Sequence, residues 1–129
     1  MQYYIDAVGY GNQDITGSLD SFWLNGAMRI SADEQVDFLK RPYLDDLPFS
    51  KRSMEIVKAI MSLEPEPGFQ LYGKTGSGFI NSEYIGWFVG FQEVNGHVYI
   101  FATNIKGPIP ENNGLKAKEI SINILHDVE

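Results

Sequence analysis

The sequence contains no cysteine, which removes disulfides and thiolate metal ligands and leaves the redox compartment open. No apolar run approaches the roughly 18–20 residues needed to cross a bilayer, and Met1 is not followed by the basic-then-apolar pattern of an export signal. Positive charge is scarce. Ten Lys and Arg against 17 Asp and Glu leave a net charge of -7, which argues against a nucleic-acid footprint. Lys40, Arg41, Lys51 and Arg52 cluster only modestly and read as solvating a helix–helix junction. His97 and His126 are the only histidines, and neither lies in a ligand-spaced motif, so no metal or other cofactor is expected. Asp45, Asp46, Glu64 and Glu66 stand beside prolines in connectors, which fits solubility better than two-carboxylate glycoside chemistry.

What is present fits one α+β domain: 129 residues, 43% hydrophobic and 21% charged, with no internal repeat. Residues Gln2 to Val8 can form a short helix that Gly9 ends, and Tyr10 to Ser21 is a polar, glycine-containing loop. Ser31 and Glu34 have capping-box spacing, predicting a helix to about Lys40, with Pro42 and Pro48 bracketing a connector. Ser50 is a candidate N-cap for a further helix whose buried face is expected to be Ile56, Val57, Ile60 and Met61, stopped by Pro65, Pro67 and Gly68. The period then changes. A short strand ends near Tyr72. Tyr84 to Val94 and His97 to Lys106 flank Asn95-Gly96, a pair suited to a type I′ hairpin turn. Ile85, Trp87, Val89 and Phe91 alternate with Gly86, Phe88 and Gly90, so both sheet faces should be covered. After a loop from Gly107 to Gly114, Ala117, Ile120, Ile124 and Leu125 form the stripe of a last helix. Residues 1–68 are thus a mostly helical part with an active-site loop, and 69–129 a strand, a hairpin and a helix.

Lys74-Thr75-Gly76, at the exposed end of the first strand, combines a cation, a hydroxyl and a backbone free of side-chain bulk. Such an edge can hold an anionic, peptide-like ligand, or it can be a surface lysine at a strand-end turn. Asn12 offers a donor and an acceptor to an amide and Tyr10 a wall, although Gly11 and Asn12 also suit ordinary turn chemistry. Trp23 is either a donor-only indole beside an anion or a core aromatic. Trp87 and Phe88 read as core.

Tyr10-Gly11-Asn12, Phe22-Trp23-Leu24, Lys74-Thr75-Gly76 and Gly86-Trp87-Phe88-Val89-Gly90 occur in one order, and over essentially the whole chain they resemble the C-terminal part of a class D β-lactamase or of the similar penicillin-sensing domains. The resemblance implies a partial β-lactamase/transpeptidase-like fold, with an antiparallel sheet packed by helices and a cleft between them. It implies that Lys74 and Thr75, with Gly76, bind a β-lactam or peptidoglycan-like carboxylate, that Tyr10 and Asn12 border the cleft, and that Trp23 supports a carbamylated lysine base. It also implies an extracytoplasmic location in a bacterium.

Acylation in this family needs a serine followed three residues later by lysine, and no serine here has that partner. The second family serine motif, serine-x-valine, is also missing, and Ser121-Ile122-Asn123 falls in the last helix, where it reads as accidental. The nucleophile and base are therefore not encoded, and Met1 is expected to fall where a longer protein is already half complete. An arginine that many class D enzymes place in the last helix falls on Ala117, between Lys116 and Lys118. Alone, the chain is expected to be inactive and to self-associate or pair with the missing N-terminal part, because the family sheet continues beyond the last strand. Three readings stay open: part of a hydrolase, part of a penicillin sensor or transpeptidase-like domain, and a non-catalytic relic or binding module.

Overall fold

The computed structural model describes residues 1–24, 27–64, 68–108 and 113–128. Its elements follow in the order α1 (Gln2–Val8), α2 (Ala32–Tyr43), α3 (Lys51–Met61), β1 (Phe69–Ile80), β2 (Glu83–Val94), β3 (His97–Gly107) and α4 (Asn113–His126). Helix ends follow local chemistry. Gly9, at φ 61°, turns the chain out of α1. Ser31 accepts the Glu34 N–H at 3.2 Å while the Glu34 carboxylate takes the Ser31 N–H at 2.8 Å, closing the capping box. Ser50 caps α3 through the Ser53 N–H at 3.1 Å. The second helix runs past the expected end at Lys40, because Pro42 falls in its last turn and the Leu44 N–H still reaches the Lys40 carbonyl at 3.0 Å. Arg41 does more than solvate the junction: its guanidinium donates to the Val8 and Asp46 carbonyls, joining the end of α1 to the α2–α3 connector.

The sheet is antiparallel with order β1-β2-β3. Asn95 and Gly96, at φ 50° and 79°, make the expected tight turn and set Val94 opposite His97. A second two-residue turn was not foreseen. Asn81 and Ser82 take φ 51° and 65° and set Ile80 opposite Glu83, so β1 is 12 residues long. Lys74-Thr75-Gly76 therefore lies in the middle of a strand, not at its end. Asn-Ser is a weaker turn signal than Asn-Gly, and the glycine-rich tail of β1 lacks apolar alternation, so backbone pairing with β2 forms this half.

One sheet face packs under α4. Phe88 is 1% exposed there, with Leu71, Ala117 and Leu125 around it; burial of Phe88 contributes about 1.5–3 kcal/mol. Close approach needs glycine: a Cβ on Gly86 would stand 2.1 Å from the Asn113 carbonyl carbon, and one on Gly114 2.7 Å from the Gly76 oxygen. The expected stripe of α4 is corrected in part. Ala117, Ser121 and Leu125 are buried, whereas Ile120 and Ile124 face outward at 37% and 57% exposure. Ser121 reaches the core because its hydroxyl stands 2.7 Å from both Thr103 Oγ1 and the Ala117 carbonyl.

The helices α2 and α3 lie over the opposite face. Here the expected buried face of α3 is overturned. Ile56, Val57 and Ile60 are 47%, 49% and 70% exposed, and Met54 is the buried residue. The inward face runs through Met54, Lys58 and Met61, one step around the helix, with Lys58 reaching the sheet to pair with Glu93 at 3.1 Å. Pro65, Glu66 and Pro67, and residues 109–112 of the loop from Gly107 to Gly114, lie outside the described residues. Among the described residues no helix is long and apolar enough to cross a membrane.

Candidate active site

Between the free part of this second face and the 10–30 segment lies a cleft of ≈ 660 Å³, bordered by Tyr10, Trp23, Leu24, Met28 and Arg29 on one side and by Lys74–Gly78, Trp87, Val89, Asn104 and Lys106 on the other. Strand alternation and register build its floor. Lys74 is opposite Val89, Gly76 opposite Trp87, and Trp87 opposite Asn104, all on one face.

The outer edge of β1 is divided. Up to Tyr72 it is capped: the Leu63 N–H donates to the Leu71 carbonyl at 2.9 Å, and Ser62 bridges Tyr72. From Gly73 onward no strand among the described residues pairs with it. Lys74 is exposed on this open stretch, its ammonium donating to the Thr75 carbonyl at 2.7 Å, and Thr75 also borders the cleft. Gly76 is exposed, and a Cβ there would find nothing nearer than Trp87 Cβ at 3.9 Å. Folding therefore does not demand glycine at this position. Its value is the open space over the backbone, which a ligand can enter. Ser77 closes the stretch by accepting the Gly114 N–H at 3.1 Å.

From the Tyr10-Gly11-Asn12 segment, Tyr10 borders the cleft. Tyr10 donates to Gln35 Oε1 at 2.7 Å and stands edge-on to Phe38 at 4.8 Å, so α2 holds it against the cleft. Burial raises its pKa above the ordinary value, opposed by the Gln35 hydrogen bond. Gly11, at φ 54°, approaches so closely that a Cβ would stand 2.2 Å from the Arg29 carbonyl oxygen. Asn12 is drawn away from the expected role. Its amide donates to the Ala27 carbonyl at 2.8 Å and accepts the Arg29 N–H at 2.9 Å, and Asn12 is not among the residues bordering the cleft. It staples two loop segments, the turn chemistry that competed with a ligand role. Trp23 borders the cleft, half exposed, packed edge-on to buried Phe22 at 4.9 Å.

Trp87 departs from its core reading: it borders the cleft, and Phe88 alone of the pair is fully buried. Ala117, where the resemblance would place a carboxylate-pairing arginine, is a core residue at 0% exposure, and neither Lys116 nor Lys118 is among the residues bordering the cleft. Asn104, Lys106 and Arg29 were missed. Alternation outward from the Asn95-Gly96 turn puts Asn104 and Lys106 on the face of Trp87 and Ile85, so those two were within reach of the register. Arg29 carried no local signal. Arg29, Lys74 and Lys106 against Glu83 make the described lining locally cationic on an acidic protein.

The family described as penicillin binding protein transpeptidase domain matches residues 1–126. The chain is 40% identical over 125 residues to the probable β-lactamase YbxI of Bacillus subtilis, covering 97% of this chain and 45% of that protein. It is 39% identical over 127 residues to the methicillin resistance mecR1 protein of Staphylococcus aureus, covering 98% of this chain and 21% of the relative. Among solved structures, FUS-1 (OXA-85), a class D β-lactamase from Fusobacterium nucleatum, superposes with a TM-score of 0.89 at 37% identity, covering 100% of this chain and 53% of that one. The chain thus spans about half the length of its β-lactamase relatives, or less.

Tyr10 gives the site a pH signature. Tyr10→Phe should lower stability by about 1–2 kcal/mol at neutral pH, because it strands the Gln35 carbonyl oxygen. With the folded pKa raised above 10.0, the benefit of neutral Tyr10 is fully present below that value and declines as pH rises through the folded pKa. Urea unfolding of both proteins at pH 8 and pH 11 should show their difference shrinking at the higher pH. A constant difference would remove Tyr10 from its half-buried wall position.

Proposed function

We propose that this chain, which belongs to the penicillin binding protein transpeptidase domain family, supplies the ligand-recognising part of a class D β-lactamase-like protein. The observation that carries this reading is the open stretch of β1, where Lys74, Thr75 and unobstructed Gly76 stand in a locally cationic cleft. In the proposed complex an extended amide lies along that edge. The ligand carboxylate meets Lys74 and Thr75 in a partly dry cleft, where charge-assisted hydrogen bonds are stronger than in water. Tyr10 and Trp23 form the opposite wall. Trp23 can also steady an anionic base brought by another segment. The helical 1–68 part and the 69–129 part act as the two walls of one site.

Hydrolysis through a serine acyl-enzyme then depends on a segment outside this sequence that carries a serine-x-x-lysine pair. The β3 edge is a second ground for expecting such a partner: among the described residues it pairs with β2 alone, and residues 98–105 contain no charge and no proline. A penicillin-sensing role is the second reading, favoured by the 39% identity to the mecR1 protein beside 40% to YbxI. Both readings place the protein outside the cytoplasm of a bacterium.

Tryptophan emission reads the proposed binding, since Trp23 and Trp87 both border the cleft. Titration with a penicillin should saturate, Lys74→Ala should weaken affinity by about tenfold or more, and the intact mass should stay unchanged. No saturable response, or equal binding by Lys74→Ala, would defeat the recognition role; a stable acyl adduct would defeat the absence of a nucleophile. Sedimentation of the 129-residue chain should show concentration-dependent association through the open β3 edge, and a monodisperse monomer throughout would contradict it.

A further inference from the structure

One ammonium draws three elements together on the sheet face that carries Lys74. Lys58 Nζ stands 3.1 Å from Glu93 Oε1 and 4.9, 5.4 and 5.5 Å from the ring centroids of Tyr72, Tyr43 and Phe91. All three rings lie within the roughly 6 Å range of a cation–π contact. The rings also hold one another: Tyr72 stacks on Phe91 at 4.5 Å and Tyr43 meets Phe91 edge-on at 5.2 Å. Burial pulls the Lys58 pKa down, but the hydrogen bond and charge of Glu93, together with Tyr72 and Tyr43, leave it raised. The four partners come from three elements. Tyr43 ends α2, which also carries Gln35 and Phe38 against Tyr10. Tyr72 is in β1, two residues before Lys74 on the same face, and Phe91 and Glu93 are in β2.

We propose that Lys58 is a positioning residue that sets where the open edge of β1 begins and how far α2 stands from it. Its helix ends in the Ser62–Leu63 segment that caps β1 at Leu71 and Tyr72 and stops one residue before Gly73. A lysine clamped on Tyr72 fixes that stop, and its contact with Tyr43 fixes the helix that holds Tyr10. The outward aliphatic side of α3, Ile56, Val57 and Ile60, is exposed and does not serve this purpose. The role does not depend on the identity of the ligand, so it can fail or stand separately from penicillin recognition.

The test uses the 129-residue chain without ligand. Lys58→Met keeps the side-chain length and removes the charge, while Lys58→Arg keeps the charge. Hydrogen exchange at the Leu63 amide, which bonds the Leu71 carbonyl, should accelerate about tenfold in Lys58→Met. Emission from Trp23 and Trp87 should shift as the walls separate, and Lys58→Arg should restore both readings. Leu125→Ala, which loosens the opposite face of the sheet, should leave the emission maximum where it was. Native exchange at Leu63 and native emission in folded Lys58→Met would overturn the proposal, as would the same emission shift in Leu125→Ala. Should Lys58→Met fail to fold, Glu93→Gln leaves the ammonium in its ring box without its carboxylate. It should give the same changes at smaller amplitude, and unchanged readings there would equally overturn the proposal.

Discussion

Everything in this molecule depends on one antiparallel register, held by two two-residue turns at Asn81-Ser82 and Asn95-Gly96. A slip of one residue would exchange the two faces of a strand. Phe88, Gly86 and Gly90 would leave the surface that α4 covers, and Lys74, Trp87 and Asn104 would leave the cleft. Glycine enforces the register as well as permitting it: a Cβ at Gly90 would stand 1.9 Å from the Tyr72 carbonyl oxygen. The packed face under α4 holds the sheet in place, and the part of the other face that α2 and α3 leave uncovered borders an open site.

That asymmetry gives two kinds of glycine. Gly86, Gly90 and Gly114 are fixed by close backbone contacts, whereas Gly76 is surrounded by space. The first kind answers to folding, whereas packing does not require the second. Lys74 gains its meaning from the same division. The outer edge of its strand is capped by Leu63 up to Leu71 and Tyr72 and meets no strand beyond among the described residues, so the ammonium stands on a stretch that an extended ligand can reach. The lining described for the cleft is locally cationic on a chain of net charge -7, which suits it to the anion proposed above.

Much of this was legible in the residues, and what was not has physical causes. The capping box, the Ser50 cap, the Gly9 stop and the Asn95-Gly96 hairpin are local chemistry, and local chemistry decided them. The Lys74-Thr75-Gly76 segment and Tyr10 border the cleft as the motifs suggested, yet β1 was cut short because its second half is held by pairing with β2, which no window of β1 alone displays. In α3 the aliphatic residues suggested the wrong inward face, because a lysine that reaches three rings and a carboxylate can face a sheet as well as a methionine can. The outward position of Ile124 has a related cause: Ser121 satisfies its hydroxyl within the helix and against Thr103, so a polar residue took the core position. Asn12 shows the limit of motif reading, since one amide can serve a ligand or a loop and only tertiary contacts decide which.

The central claim is that the unpaired stretch of β1 recognises an anionic, amide-bearing ligand without the means to acylate itself. A crystal structure of the chain soaked with a penicillin tests this most directly. The account predicts an intact β-lactam ring along Lys74–Gly76, its carboxylate within hydrogen-bond distance of Lys74 Nζ or Thr75 Oγ1. A drug bound on the α4 side of the sheet, or one covalently attached to any residue of this chain, would contradict it.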